Sequence, residues 1–346
     1  MNASAPASTS LAAPVTAPAL WYRDPSYWPR ERSEIFARSW QYIGHESQLT
    51  EPGQWVADVI AGFPLLVVRG ADGALNAFHN VCRHRAGPLT DGHEGKCDGL
   101  LRCKYHGWAY TLDGRLRLAR EFGAKDGFDA REYGLFPVRV ETWRGTVWVA
   151  VDPGISPFAE WIAPVEQRIQ DQDWGDLKVS LRRYHPIKCN WKTYVENYLE
   201  GYHVPDVHPA LNAEVDASRY VVTMEGKVAI HEVPMRIEQP VYGGLWAWMW
   251  PNLGINIYQK GLMLERMSPE GAEGTRLDYI YLMPDGEAVS EETMAMSDAV
   301  TSEDIWIVEK VQQNLNAGVY DVGRLSPLHE GAITAFQAWV REALGE

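Results

Sequence analysis

Two short runs place cysteine and histidine where metals are held: Cys82-Arg83-His84 and Cys103-Lys104-Tyr105-His106. Each run offers one thiolate and one imidazole. Together they make the donor set of a [2Fe–2S] cluster in which Cys82 and Cys103 bind one iron and His84 and His106 the other. Neutral imidazoles raise the potential of such a cluster above that of an all-cysteine one. The chemistry implied is one-electron transfer. A zinc site uses the same residue types but favours paired cysteines and paired histidines over this interleaving. The remaining cysteines, Cys97 and Cys189, read as unligated thiols, with Cys189 buried, and four cysteines in 346 residues predict no disulfide framework.

A second constellation lies in residues 190–208, which have helical character until Pro205. His203 and His208 are expected to straddle the helix end. Residues five apart on a straight helix project about 140° apart, so an unwound turn at Pro205 is needed to bring both imidazoles to one metal. A long helix expected over residues 291–315 supplies a third ligand. Val300, Asp304, Val308, Val311 and Leu315 fall on one stripe, so Asp304 occupies a core-facing position. An isolated ionised carboxylate there costs on the order of several kcal/mol, which a divalent cation or a core arginine would offset. Glu303 falls on a different stripe with Lys310 and Asn314 and is expected to face solvent. Two histidines and a carboxylate with open positions form the facial triad of non-haem Fe(II) that activates dioxygen. Dioxygen activation consumes electrons one at a time, and a cluster in the same chain would supply them.

These residues need a scaffold, and 346 residues with 46% hydrophobic and 11% aromatic content suffice for two domains with real cores. Residues 1–20 carry almost nothing that buries surface and are expected to be a disordered tail. Residues 21–40 suggest a short amphipathic helical segment docked on a domain. Residues 41–155 show β-rich runs at 55–60, 64–69 and 146–151 separated by turns, an all-β domain whose loops carry both Cys and His pairs. Residues 156–346 mix helices with strands, the latter expected at 245–258 and 276–283. No apolar run approaches the roughly 20 residues that span a bilayer and the N-terminus lacks a signal-peptide pattern, so a cytoplasmic location is expected. The net charge of −14 argues against nucleic acid and anionic membranes as partners and permits cationic ligands. No Gly-rich dinucleotide fingerprint is visible, so NADH would be oxidised by a separate flavin or iron–sulfur reductase.

The runs Cys82-Arg83-His84-Arg85-Ala86, Glu196-Asn197-Tyr198 with Tyr202-His203, Trp250-Pro251-Asn252, and Glu303-Asp304 followed by Glu309 and Gln312 carry a resemblance. After residue 20 the chain resembles the catalytic α subunits of Rieske non-haem iron oxygenases, and within them the choline-monooxygenase-like branch. The resemblance implies an α+β fold: an N-terminal all-β Rieske [2Fe–2S] domain (residues 41–155) and a catalytic domain (156–346) with an antiparallel sheet and a long covering helix, helix-grip-like. It also implies a ring-shaped homotrimer in which the cluster of one subunit faces the mononuclear iron of its neighbour. The bridge in such enzymes is a carboxylate three residues before the first iron-ligating histidine, here Glu200, with His106 as its partner. On the residues alone, Glu200 shares a helical face with His203 and is placed to accept a bond from an imidazole; without the resemblance it reads as an exposed helix glutamate. Respiratory Rieske proteins carry extra cysteines and a serine near the cluster, where this chain has Gly87 and Trp108. Fewer hydrogen bonds to sulfur predict a lower potential.

The substrate must be read from the pocket. Trp246, Trp248 and Trp250 alternate and would share one face of a strand, a π surface for a cation that Tyr202 and Tyr258 would join. Core packing beneath the long helix is the plainer alternative. The expected function is hydroxylation of a small quaternary ammonium compound, with N-demethylation where a methyl is attacked. Hydroxylation or demethylation of an aromatic acid is the second reading, and an electron-transfer or binding protein with a vestigial second site the third. The sequence does not separate mono- from dioxygenation.

Overall fold

Short apolar runs interrupted by glycine turns build the N-terminal half of the chain. The structure is a computed structural model that describes residues 14–122, 127–258 and 260–346. Ten strands form first: β1 (Gln41–His45), β2 (Gln54–Ile60), β3 (Phe63–Arg69), β4 (Leu75–His79), β5 (Glu94–Lys96), β6 (Leu100–Arg102), β7 (Ala109–Thr111), β8 (Leu116–Leu118), β9 (Pro137–Trp143) and β10 (Thr146–Ala150). Seven pair in the order β1-β10-β9-β4-β3-β2-β5, and β6-β7-β8 make a small second sheet. The loops after β4 and β6 carry the Cys and His pairs.

The C-terminal half is a seven-stranded antiparallel sheet in the order β11-β17-β16-β15-β14-β13-β12. Its strands are β11 (Leu177–Ile187), β12 (Val221–Glu225), β13 (Val228–Glu232), β14 (Gly244–Met249), β15 (Leu253–Tyr258), β16 (Leu262–Pro269) and β17 (Thr275–Pro284). The helices are α1 (Leu20–Arg23), α2 (Tyr27–Glu31), α3 (Phe158–Ile169), α4 (Trp191–Tyr198), α5 (Val204–Val207), α6 (Pro209–Glu214), α7 (Glu291–Asn316) and α8 (Gly331–Leu344). Ser290 starts the long α7 by accepting the Thr293 N–H with its side chain.

Both faces of this sheet are covered. Val228, Ile230, Ala247, Ile255, Leu264 and Ile280 point to one face and pack on Trp40, Tyr42, Trp148 and α3, which ties the N-terminal domain to the sheet's back. Their neighbours Ala229, Trp248, Met263, Leu277 and Tyr279 point to the other face, beneath α4, α7 and α8. Strict alternation along each strand separates the two sets.

Several expectations are corrected here. Residues 1–13 of the expected tail lie outside the described residues, but 14–19 are ordered: Ala17 and Ala19 are buried, and the backbone of Thr16 and Ala19 bonds Gly323 and Asp321. Small side chains bury because the two backbones approach closely, not because they carry much apolar surface. The segment 21–40 is two short helices and a π turn (Arg32–Phe36), packed on the C-terminal domain. Residues 245–258 are two strands, with a turn at Trp250, Pro251 and Asn252 folding β15 back on β14. On α7, Val311 is exposed, and the buried stripe runs through Thr301, Asp304, Val308, Gln312 and Leu315. One expectation stands as made: no two cysteines are joined by a disulfide, and Cys189 is buried.

A buried ion cluster joins the domains. Asp58 of β2 and Asp278 of β17 are each 2% exposed at the side chain. Between them lies Arg266, 2.8 Å from Asp278 and bonded also to Asp58, with its Nη1 donating to the Tyr42 carbonyl at 2.7 Å. Arg182 and Arg276 reach Asp58 at 2.6 and 2.9 Å. Burial pushes the Asp58 carboxyl up, but the three guanidiniums outweigh it and hold the group well below the usual carboxylate range. A depressed folded-state pKa means that this stabilisation is complete above about pH 4 and declines as pH falls further. Asp58→Ala leaves the guanidiniums uncompensated and should lower the unfolding free energy by about 3–5 kcal/mol in urea denaturation at pH 7. A loss near zero would show that the arginines find other partners.

Candidate active site

The metal-binding geometry begins with how α4 ends. Asn190 caps its start, its side chain accepting the Lys192 N–H, and the helix stops at Tyr198, earlier than Pro205 led us to expect. The turn that follows passes beneath Tyr220. A Cβ on Gly201 would come 1.9 Å from the Tyr220 ring, so only glycine fits. Pro205 then sits in the first turn of α5, where its missing N–H costs nothing. It starts a helix rather than breaking one. His203 precedes α5 and His208 follows it, and this single short turn brings their Nε2 atoms to 3.1 Å.

Asp304 of α7 completes the set. Its Oδ1 lies 3.1 Å from His208 Nε2 and 3.8 Å from His203 Nε2, and it accepts the Asn197 Nδ2–H at 2.6 Å. Ligand atoms sharing one metal at about 2.1 Å in a facial arrangement lie about 3 Å apart, so the residues fit a divalent iron. The rest of each ring is also prepared. His203 Nδ1–H donates to Glu200 Oε1 at 2.5 Å and His208 Nδ1–H to Glu303 Oε2 at 2.8 Å. A carboxylate can only accept, so the Nδ1 protons are fixed and both Nε2 lone pairs converge on the same point. Burial works against a charged His208, but Asp304 and then Glu303 outweigh it and raise its pKa. The site draws positive charge.

Two roles differ from the sequence reading. Glu303 does not simply face solvent, because its long side chain reaches round α7 to His208. Glu200 shares no helical face with His203; it lies in the turn and accepts the N–H of Tyr202 and of His203 besides the imidazole. Asn197, whose bond positions Asp304, carried no signal of this role beyond its place in the resemblance.

A cavity of about 90 Å³ opens against His203 and His208. Its walls include Tyr198, Tyr220, Tyr242, Trp246, Tyr258 and Tyr279, with Glu265 and Asn256 as polar groups. Tyr258 is where the sequence placed it. Trp248 is not: it is fully buried under α8, edge-on to Phe336 at 5.7 Å and to Trp250, which itself packs on Trp339. The three tryptophans lie on the sheet's helix-covered side, but only Trp246 reaches the cavity. Tyr202 also stands apart, 58% exposed and stacked on His329 at 4.9 Å.

The Cys and His loops of the N-terminal domain are built alike. The N–H groups of Cys82 and Cys103 bond the carbonyls of Gly87 and Trp108, both at 2.9 Å, and those of Ala86 and Gly107 bond back to the cysteine carbonyls. Each turn needs a positive φ, met by Ala86 at 55° and Gly107 at 76°. Cys82 and Cys103 are buried, and the His84 and His106 rings lie 4.6 Å apart. Among the described residues His84 Nδ1 is buried with no partner, and a Cβ on Gly87 would come 2.8 Å from Cys103 Sγ. An orphaned imidazole nitrogen beside two buried thiols fits a cluster ligand set. His84 is held flat on Trp108 at 4.9 Å, which Phe122, Phe128 and Tyr133 surround. Tyr110 lies with its hydroxyl 3.2 Å from Cys82 Sγ, a hydrogen bond to sulfur that counters the expected scarcity.

Two substitutions separate ligand from support. Asp304→Ala should abolish mononuclear iron while the cluster's visible absorption persists. Glu303→Ala should keep the iron site but weaken it by about 10–100-fold, read as iron per chain against graded chelator. Undiminished retention in Glu303→Ala would mean that packing alone orients His208.

Comparison with known proteins agrees with this construction. Residues 39–131 match the Rieske [2Fe-2S] domain model and residues 172–346 the ring hydroxylating alpha subunit catalytic domain model. The choline monooxygenase of Beta vulgaris is 32% identical over 95% of this chain and 77% of its own. The carnitine monooxygenase oxygenase subunit of Escherichia coli (strain K12) is 32% identical over 88% of this chain and 85% of its own. The crystal structure of a quaternary ammonium Rieske monooxygenase, 26% identical, superposes with a TM-score of 0.87 over 96% of each chain. Naphthalene 1,2-dioxygenase, 19% identical with a TM-score of 0.72 over 95% of this chain and 94% of its own, shares the fold. The chain therefore belongs to the Rieske oxygenase family, an enzyme whose Cys82, His84, Cys103 and His106 suit a [2Fe–2S] cluster and whose His203, His208 and Asp304 suit a non-haem iron.

Proposed function

We propose that this oxygenase is a monooxygenase that hydroxylates a small quaternary ammonium compound at a methyl or methylene group beside nitrogen, with loss of formaldehyde where a methyl is attacked. The observation that carries the reading is the aromatic cavity against His203 and His208. Tyr242 and Tyr258 stack at 5.6 Å, and Trp246 stands edge-on to Tyr242 and to Tyr220. Rings set at these angles offer π faces to one small volume, and each cation–π contact contributes about 0.5–2 kcal/mol depending on desolvation. At about 90 Å³ the cavity limits the substrate to a small one. Relatives named choline and carnitine monooxygenases support the same class. An aromatic acid fits less well, because among the described residues no lining residue is Lys or Arg and its carboxylate would be buried unpaired.

When bound, the mononuclear iron supplies dioxygen activation and the cluster supplies electrons singly. The chain's own part is positional. Glu200 and Glu303 hold the imidazole protons away from the metal position, and the aromatic walls orient the substrate and exclude water. Glu200 accepts three bonds within its own chain, and a carboxylate has roughly four acceptor sites. The remaining one is available to an imidazole from a second copy. His106 is exposed at the rim of its loop, and we assign it as that donor in a homotrimer, with electrons entering from a separate NADH-oxidising reductase.

With such a reductase and full iron, choline should raise NADH-dependent oxygen uptake above the substrate-free rate. No stimulation by any trimethylammonium compound would overturn the assignment. Glu200→Gln keeps an acceptor for His203 but removes the charge, so both metals should be retained while single-turnover oxidation of the cluster slows. An unchanged rate would reject the relay.

A further inference from the structure

We infer that Glu265 is the anionic anchor of the cavity, the group that fixes the positive nitrogen of a substrate bearing no carboxylate of its own. This rests on the quaternary ammonium reading and sharpens it to plain cations over zwitterions.

The strand dictates where Glu265 points. On β16 the residues alternate, so Arg266 faces the back of the sheet and joins the interdomain ion cluster, while Glu265 faces the cavity. The residue is only 5% exposed. Its Oε1 accepts from the Tyr194 hydroxyl at 3.1 Å and the Tyr279 hydroxyl at 3.4 Å, and its Oε2 lies 3.5 Å from Asn256 Nδ2. Partners from α4, β17 and β15 thus hold the carboxyl group in place. None of them carries a positive charge.

A buried carboxylate in a protein interior is paired, neutralised or bound to a cation. Here the pairing is missing. Among the described residues, every one lining the cavity is neutral, a carboxylate or a histidine, and the arginines of this sheet that pair with Asp58 and Asp278 lie on its opposite face. Burial, with Asp304 nearby, pushes the carboxyl up to about 8. The hydroxyl and amide groups that support it donate to it without bringing charge, and the aromatic walls surround the same space, so the counter-charge that holds it ionised is one that a ligand brings. A trimethylammonium nitrogen meets both demands, because its methyl groups take the π faces while its charge answers Glu265. A second carboxylate on the ligand would instead enter a space already bordered by Glu265 and Glu200.

Equilibrium binding to the iron-loaded, unreduced full chain tests this without turnover. The probes are choline, its uncharged isostere 3,3-dimethylbutan-1-ol, and glycine betaine. In the native chain choline should bind at least about tenfold tighter than either. Glu265→Gln should reduce the preference for choline over the isostere by about tenfold, with the isostere's own affinity, iron content and cluster absorption kept. Glu265→Asp, which keeps the charge, should retain most of that preference and serves if the Gln variant does not fold. An unchanged preference in Glu265→Gln overturns the anchor and leaves the quaternary ammonium reading to the aromatic walls. Equal binding of choline and glycine betaine overturns the exclusion of zwitterions. No preference for choline over the isostere in the native chain brings down the substrate class itself.

Discussion

The cluster of Asp58, Asp278, Arg182, Arg266 and Arg276 is the interaction on which the architecture depends. It forms where a strand of the N-terminal β domain meets the back of the catalytic sheet, and its two carboxylates and Arg266 are closed to water. Buried ions of this kind add little net stability over well-packed apolar groups, but each is costly to leave alone. Their effect is to permit one arrangement of the domains. Any other would strand a guanidinium or a carboxylate, so the apolar contacts of Trp40, Tyr42, Trp148 and α3 with the same face close in a single register.

That fixed back leaves the front of the sheet free for chemistry. Charges behind the sheet and around the cavity are handled differently. Behind the sheet, carboxylates meet arginine; in front, Asp304 meets two imidazoles and an amide, and Glu265 meets hydroxyls. The protein provides cations where it needs rigidity and leaves them out where a metal or ligand would bring them. Neighbouring residues on one strand, Glu265 and Arg266, embody the contrast, and they differ only in which way a pleat turns.

This explains what was legible in the sequence. Cys82, His84, Cys103 and His106 could be read because ligand spacing within a short loop is the signal itself, and His203 with His208 for the same reason. Asp304 needed only the period of a helix. Glu303 defeated that argument, since a stripe treats a side chain as a point and glutamate is long enough to reach across. Glu265 was hidden because a strand buried on both faces shows no alternation of apolar and polar residues, and its partners come from three other elements. For Trp246 and Trp248 the pattern gave the face correctly, but what covers each end of a face, α8 or a cavity, is a matter of tertiary packing.

The same dense packing links the cavity to the turn that carries Glu200. Gly201 lies directly beneath the Tyr220 ring, a wall of the cavity, while Glu200 on its other side holds His203. Tyr220 is itself braced from behind, its hydroxyl 2.8 Å from Nδ1 of the buried His231. Burial holds the His231 pKa down to about 3, so the ring is neutral and shares a single hydrogen bond with the tyrosine hydroxyl. A Tyr220 ring pushed outward from the cavity must move either that brace or Gly201. His208 has no such connection: Glu303 holds it from α7, the helix that also supplies Asp304. One ligand of the pair is therefore seated on a long helix, and the other on a turn that the cavity wall touches.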